Sequence, residues 1–330
     1  MTKAKVVFMT SLPRKLEEFA RLTTPKGFVT TAIASKARED EKIEVLSDAD
    51  FILGLFPNLS EAVLRHTTKL KLLQLASVGY DTVDLKLLEK YGVTVATCGD
   101  INSAAVAEHT ISLMLAICRK LTQCVERVKL GGWIFDSPAT DAFTYHNLIG
   151  KRVGLVGFGN IGRNVAQRLQ GFQCAIQVYN RTVISEEHKK KLGVEQVEFL
   201  ELLKTSDIIS LHVPLTPETR HLIGRKELML MKPSAILINT SRGALIDEAA
   251  LIEVLQERQI FGAGLDVIEK EPPEPDNLLR TMSNIVLTPH IGGASLGTLQ
   301  EVFRFCWQNI KDTWDGKMPH NVVSSDLKSF

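Results

Sequence analysis

Arginine, histidine and glutamate stand near the ends of short apolar runs in the second half of this chain. Arg242 follows such a run in "INTSRGALIDE", and His290 follows another in "LTPHIGGAS". Glu271 lies on the proline-rich stretch "DVIEKEPPEP". A guanidinium can grip a carboxylate and polarise a neighbouring carbonyl. An imidazole titrates near neutrality, as a proton donor must, and a carboxylate beside it fixes the ring. Each residue also has a plainer use: an Arg before Gly caps a turn, a His after Pro is satisfied within its loop, and acids near prolines are solvated.

A glycine pattern names a partner for this chemistry. In "VGFGNIGRNVAQRLQGFQCAIQVYNRT" (156–182), Gly157, Gly159 and Gly162 follow an apolar run and open a helical pattern, with Phe158, Asn160 and Ile161 between them. The first glycine suits a tight turn, the second the approach of a pyrophosphate, and the third close helix–strand packing. The helix N-terminus is then left to hold phosphate. The same spacing also serves a βα turn without ligand. Where an acidic residue would bond the ribose hydroxyls and repel a 2′-phosphate, this chain has Asn180, Arg181 and Thr182. Asparagine removes the repulsion, and the next two residues offer a cation and a hydroxyl. The reading is NADP(H) preferred and NAD(H) possible; on the alternative, Asn180 still bonds the 2′-hydroxyl and Arg181 is solvated. A nicotinamide carries hydride alone, so the protein must supply the proton donor and the substrate clamp.

Eleven apolar runs alternate with helical patterns and predict parallel strands covered by helices. Five lie before residue 100 and six after residue 150, which predicts an α/β fold of two Rossmann-like or flavodoxin-like parallel-sheet domains with a cleft between them. The longest helical pattern, 102–132, separates the sets, with Asn102 or Ser103 as N-cap and Gly131 beyond its end. A last helix, with Gly316 beyond it, follows the final strand. The expected division is 1–101 plus 295–330 for a substrate-binding domain and 102–294 for a dinucleotide-binding domain.

Composition narrows the function classes. Apolar residues make up 45% of the 330 and charged ones 23%, the balance of a globular chain rather than a disordered one. The net charge is +1 and no dense basic block occurs, so neither nucleic acid nor an anionic membrane surface is expected as a partner. The five cysteines are scattered without C-x-x-C spacing, and the histidines lack H-x-x-x-H or H-E-x-x-H partners. No metal site is expected, and the thiols read as reduced in a cytoplasmic protein. The stretch "HTISLMLAICRKL" is too short to span a bilayer.

The order of the glycine fingerprint, "NTSRGALIDEAAL", "GAGLDVIEKEPP" and "LTPHIGGAS" resembles the D-isomer-specific 2-hydroxyacid dehydrogenases, and "LASVGYDTVDL" and "NSAAVAEHTISLMLA" match as well. Within that family the chain is most similar to the glyoxylate/hydroxypyruvate reductases. The resemblance implies reversible reduction of a small 2-keto acid to the D-2-hydroxy acid. On it, Arg242 binds the substrate carboxylate and carbonyl, His290 protonates the forming alkoxide, and Glu271 holds His290. It also places the backbone N–H groups of Val78 and Gly79 on the substrate carboxylate, with Ser77 as a further substrate-binding residue. His212, Val213 and Pro214 fall on the adenosine side of the cofactor. Thr240 and Asp266 fall at the nicotinamide end, and Thr219, Ser241, Arg242, His290 and Gly292 are further cofactor-binding residues. A homodimer is implied, built largely through the long helix, with Trp133 entering the neighbouring subunit's pocket or simply packing at the interface.

Sister activities separate on single residues. The formate dehydrogenases of this superfamily carry glutamine where Glu271 stands, and the phosphite dehydrogenases have an extra lysine in the loop that here holds Val78. Phosphite oxidation is the nearest alternative activity. A dinucleotide-sensing corepressor-like protein is the alternative of another class, because such proteins retain the Arg/Glu/His set.

Overall fold

The computed structural model describes residues 3–11, 14–55, 57–133 and 145–325. The chain divides into two compact units, residues 1–102 with 296–330, and 103–295. Each is built on one sheet.

In the first unit the strands are β1 (Ala4–Thr10), β2 (Phe28–Ala34), β3 (Phe51–Gly54), β4 (Leu72–Leu75) and β5 (Thr94–Ala96), joined through α1 (Arg14–Leu22), α2 (Glu39–Leu46), α3 (Glu61–Leu64) and α4 (Leu85–Lys90). They run parallel in the order β5-β4-β3-β1-β2, the flavodoxin-like arrangement. The period-two geometry of β1 sorts its apolar side chains. Val6 and Phe8 enter one core and Val7 and Met9 the other.

The second unit begins with α5 (Ser103–Cys118) and α6 (Leu121–Lys129). Its strands are β6 (Arg152–Val156), β7 (Ala175–Tyr179), β8 (Val194–Gln196), β9 (Ile208–Leu211), β10 (Ile236–Asn239), β11 (Gly262–Leu265) and β12 (Ile285–Leu287). The helices between them are α7 (Asn160–Leu169), α8 (Glu186–Leu192), α9 (Phe199–Thr205), α10 (Arg225–Leu230) and α11 (Glu248–Gln256). The sheet order β12-β11-β10-β9-β6-β7-β8 is the doubly wound one, reversing direction between β6 and β9. That reversal opens a crevice at the carboxyl ends of those two strands.

The last helix, α12 (Leu296–Trp314), closes the first unit. Phe303 lies at the centre of its core, edge-on to Phe8 with ring centroids 5.9 Å apart and to Phe19 at 5.3 Å. Strand β13 (Val322–Val323) then adds an antiparallel edge beside β5.

Three local expectations are corrected. The 102–132 pattern is two helices, because Lys120 adopts a left-handed backbone, φ 48°, which stops the first helix. The break has compensation: His146 N–H donates to the freed Cys118 carbonyl, and the Lys120 ammonium lies 5.9 Å from the Phe261 ring. Asn102 does not cap α5 with its side chain, since its Oδ1 is buried without a hydrogen-bond partner among the described residues. Strands β8 and β13 were not expected; one is three residues long and the other two, too short to show periodicity.

The aromatic cluster sets a stability test for the first unit. Phe303→Ala should destabilise it by about 3–5 kcal/mol, read as a lower urea midpoint with an unchanged slope. A loss below about 1 kcal/mol would mean the cluster collapses around the missing ring.

Candidate active site

The glycine turn connects β6 to α7. Gly157 has φ 99°, and a Cβ there would stand 2.7 Å from the His212 carbonyl oxygen, so the end of β9 leaves room only for glycine. A Cβ on Gly162 would stand 2.5 Å from the Gly157 carbonyl oxygen, so the helix packs on the turn through bare backbone. Gly159 precedes Asn160 and Ile161 at the head of α7, gives that helix no side-chain cap, and has open space where a Cβ would be. The leading N–H groups of a ten-residue helix are therefore accessible at the topological switch point, and a dinucleotide pyrophosphate fits them.

At the end of β7, Asn180 points its carboxamide back at this turn. Its Oδ1 accepts the Phe158 N–H at 3.2 Å, and its Nδ2 donates to the Thr182 carbonyl at 3.0 Å and the Thr182 hydroxyl at 2.8 Å. The Phe158 side chain is buried in the core, so its backbone is what the turn presents. Arg181 and Thr182 are exposed.

On the β9 side, His212 is half-buried, with both ring nitrogens shielded from solvent. Burial pushes its imidazole down to about 4, and neither ring nitrogen has a partner among the described residues, so it is neutral at physiological pH. Val213 accepts from the Ser241 hydroxyl at 2.6 Å, and Pro214 accepts from the Thr219 hydroxyl at 2.7 Å. The first bond ties the loops after β9 and β10 together, and the second closes a turn within the loop after β9.

The candidate proton relay lies beyond β11 and β12. His290 Nδ1 is 2.7 Å from Glu271 Oε2, with both side chains about one-third exposed. When Nδ1 carries the ring proton, the Glu271 carboxylate accepts it. Arg242 precedes a short 3-10 turn, Gly243–Leu245, and donates from Nη1 to the Ser241 carbonyl at 2.8 Å. A Cβ on Gly243 would fall 1.9 Å from the Ile268 carbonyl carbon. The loop bearing Glu271 thus passes directly over the residue after Arg242, and bare backbone allows it. Arginine, glutamate and histidine, spread over 48 positions of sequence, are gathered by this contact and by the Glu271–His290 bond.

Asp266 has a part the sequence did not disclose. It is 2% exposed, and both carboxylate oxygens are bonded within the protein. Oδ1 accepts from the Thr288 hydroxyl at 2.5 Å and the Ile291 N–H at 2.9 Å, and Oδ2 accepts from the Gly292 N–H at 2.7 Å. His109 on α5 completes the cluster, its Nε2 2.9 Å from Thr288 Oγ1 and 3.2 Å from Asp266 Oδ1. Burial opposes ionisation of Asp266, but the bonds from His109, Thr288 and the two N–H groups outweigh it and hold the carboxyl at about 2. His290 sits between these bonds at φ 54°, its own N–H donating to the Asp266 carbonyl at 2.9 Å. Thr240, likewise expected near a nicotinamide, is buried and shares a 2.9 Å hydrogen bond with Thr110.

Ser77, Val78 and Gly79 belong to the first unit, just beyond β4, where the Ser77 hydroxyl donates to the Gly79 carbonyl at 2.9 Å. Trp133 is 58% exposed, and the segment that follows it, 134–144, lies outside the described residues. Among the described residues, no group of three or more His, Cys, Asp or Glu is arranged to hold a metal ion, and no helix is long and apolar enough to cross a membrane.

Residues 111–292 match the model of the D-isomer specific 2-hydroxyacid dehydrogenase, NAD binding domain. The chain is 39% identical over 288 residues to a glyoxylate reductase of Thermococcus litoralis, covering 86% of each chain. Among solved structures it is similar to the TT0316 protein of Thermus thermophilus, with a TM-score of 0.86, 32% identity and coverage of 97% and 99%. It is also similar to an acyclic imino acid reductase solved with NADPH and D-Arg, with a TM-score of 0.82, 31% identity and coverage of 97% and 99%. The chain belongs to the D-isomer-specific 2-hydroxyacid dehydrogenase family, oxidoreductases that act on CH–OH donors with a nicotinamide dinucleotide.

Proposed function

We propose that this protein reduces small 2-keto acids such as glyoxylate and hydroxypyruvate to the corresponding 2-hydroxy acids, D-configured where the carbon is a stereocentre, and prefers NADPH to NADH. The observation that carries the reading is the 2.7 Å contact of His290 with Glu271, on a loop packed over the arginine turn. The dinucleotide, when bound, supplies the hydride.

Arg242 binds the substrate carboxylate and draws charge from the neighbouring carbonyl, which makes its carbon more electrophilic. Protonated His290 donates from Nε2 to the carbonyl oxygen as it becomes an alkoxide. Glu271 compensates the imidazolium and keeps Nε2 aimed outward. In the oxidative direction neutral His290 takes the hydroxyl proton by the same path. Asp266, Thr288 and His109 hold the His290 loop in its left-handed backbone and so act on the reaction through His290.

NADPH preference rests on Asn180, whose neutral carboxamide does not repel a 2′-phosphate, and on Arg181 beside it. The thermococcal relative is a glyoxylate reductase, which favours small substrates. The apolar surface of α6, with Leu121, Val125 and Val128 exposed, suits the homodimer, and Trp133 extends the pocket of the neighbouring subunit.

Initial rates with glyoxylate and hydroxypyruvate should give a clearly higher kcat/KM with NADPH than with NADH. Equal or reversed values would refute the cofactor assignment, and no turnover with either would refute the substrate class. His290→Ala should lower kcat by about 10²–10⁴-fold while cofactor affinity, read by fluorescence titration, changes less than about twofold. Full activity in that variant would remove His290 from the mechanism.

Asp266 makes a pH prediction. Its native carboxyl titrates at about 2, below the ordinary 3.8, so the stability it contributes is complete above about pH 4 and lost as pH falls from about 4 to about 2. Asp266→Asn should therefore be less stable at neutral pH yet lose less further stability on acidification, measured by urea unfolding at about pH 7 and about pH 3. An unchanged pH dependence would mean Asp266 is not depressed in the native state.

A further inference from the structure

The segment that would read the ribose is fixed by a residue outside it. Gln196 ends β8, the edge strand beside β7, in register with Val178. Its Nε2 donates to the Asn180 carbonyl at 3.1 Å and to the Thr182 carbonyl at 3.0 Å. Its Oε1 accepts the Ile184 N–H at 2.8 Å. One carboxamide therefore commits both donors and an acceptor to three backbone groups of residues 180–184. Asn180 adds the bonds from its own side chain to the glycine turn and to Thr182. Between these anchors the side chains of Arg181, Thr182 and Val183 are exposed.

A loop of this length would sample many backbone states without those bonds, and ordering it on ligand binding would cost part of the affinity. With them the loop is ordered before a ligand arrives. Arg181 carries the charge in this loop that suits a 2′-phosphate, so the benefit of preordering falls mainly on the phosphorylated dinucleotide. Carboxamide chemistry is essential to the arrangement: a glutamate at this position could accept from Ile184 but would face two carbonyl oxygens with negative charge.

We infer that Gln196 is a specificity-determining positioning residue, holding the Asn180–Ile184 loop in the shape that receives the 2′-phosphate of NADPH. The inference rests on the NADPH preference proposed above and adds a residue to it.

The test is cofactor binding to the purified full-length protein, with dissociation constants for NADPH and NADH measured by calorimetry. Gln196→Met keeps side-chain length and removes all three bonds, and Gln196→Glu keeps one and adds repulsion. Thermal unfolding without cofactor verifies that each variant is folded; because two differing substitutions are used, failure of one leaves the other to be measured. Both variants should weaken NADPH by about tenfold and NADH by less than about twofold, a loss on the scale of one or two net hydrogen bonds. Equal weakening of the two cofactors would reduce Gln196 to a structural part of the sheet edge and overturn the inference. Unchanged constants would overturn it as well. A wild-type protein that prefers NADPH, with variants that keep the same ratio, refutes Gln196 alone. A wild-type protein with no such preference refutes the NADPH reading and this inference together.

Discussion

The second unit depends on one buried negative charge. A carboxylate excluded from water is costly unless every lone pair finds a donor, and Asp266 finds them in Thr288, Ile291, Gly292 and His109. The donors come from α5, from the end of β12 and from the loop that follows it. Satisfying the charge therefore fixes the path of the chain on both sides of His290. The left-handed backbone of His290 carries a steric cost of its own, and the flanking bonds hold it in place. Charge burial at one residue becomes orientation at its neighbour.

A related constraint operates where the loops meet. The 268–269 backbone occupies the volume a side chain on residue 243 would need, and the His212 carbonyl occupies that of residue 157. In both places an absent Cβ lets two strand ends approach closely. At the first it brings the Glu271 loop over the arginine turn; at the second it brings β9 against the pyrophosphate turn. All strands of this sheet run parallel, so the doubly wound order places both at its one carboxyl edge. The glycine turn and the Glu271–His290 pair thus share one sheet edge.

Where the fold departs from the pattern of the sequence, hydrogen-bonding detail is responsible. Residues 102–132 read as one helix because their apolar spacing continues past residue 118. Lys120 interrupts them because a left-handed residue there frees the Cys118 carbonyl for His146 and carries the ammonium over Phe261, neither of which leaves a trace in periodicity. Strand β8 escaped notice for a related reason. Three residues, one of them a glutamate, show no alternation, and the strand is recognisable only by its pairing with β7.

The sequence by itself determined the two parallel-sheet units and the glycine turn, and it singled out Arg242, Glu271 and His290 as candidates. These are written in local signals: apolar runs of strand length, glycines at fixed offsets, and reactive side chains next to strand ends. Tertiary structure alone decided which polar groups bond within the protein itself. Asp266 accepts from the backbone beside His290, and Thr240 bonds Thr110 on α5, contacts the sequence does not reveal. His109 and Gln196 carried no signal at all, because their partners lie 157 and at least 12 positions away. Hydrogen bonds are satisfied in space, between groups that folding brings within about three ångströms, and sequence order does not record that distance.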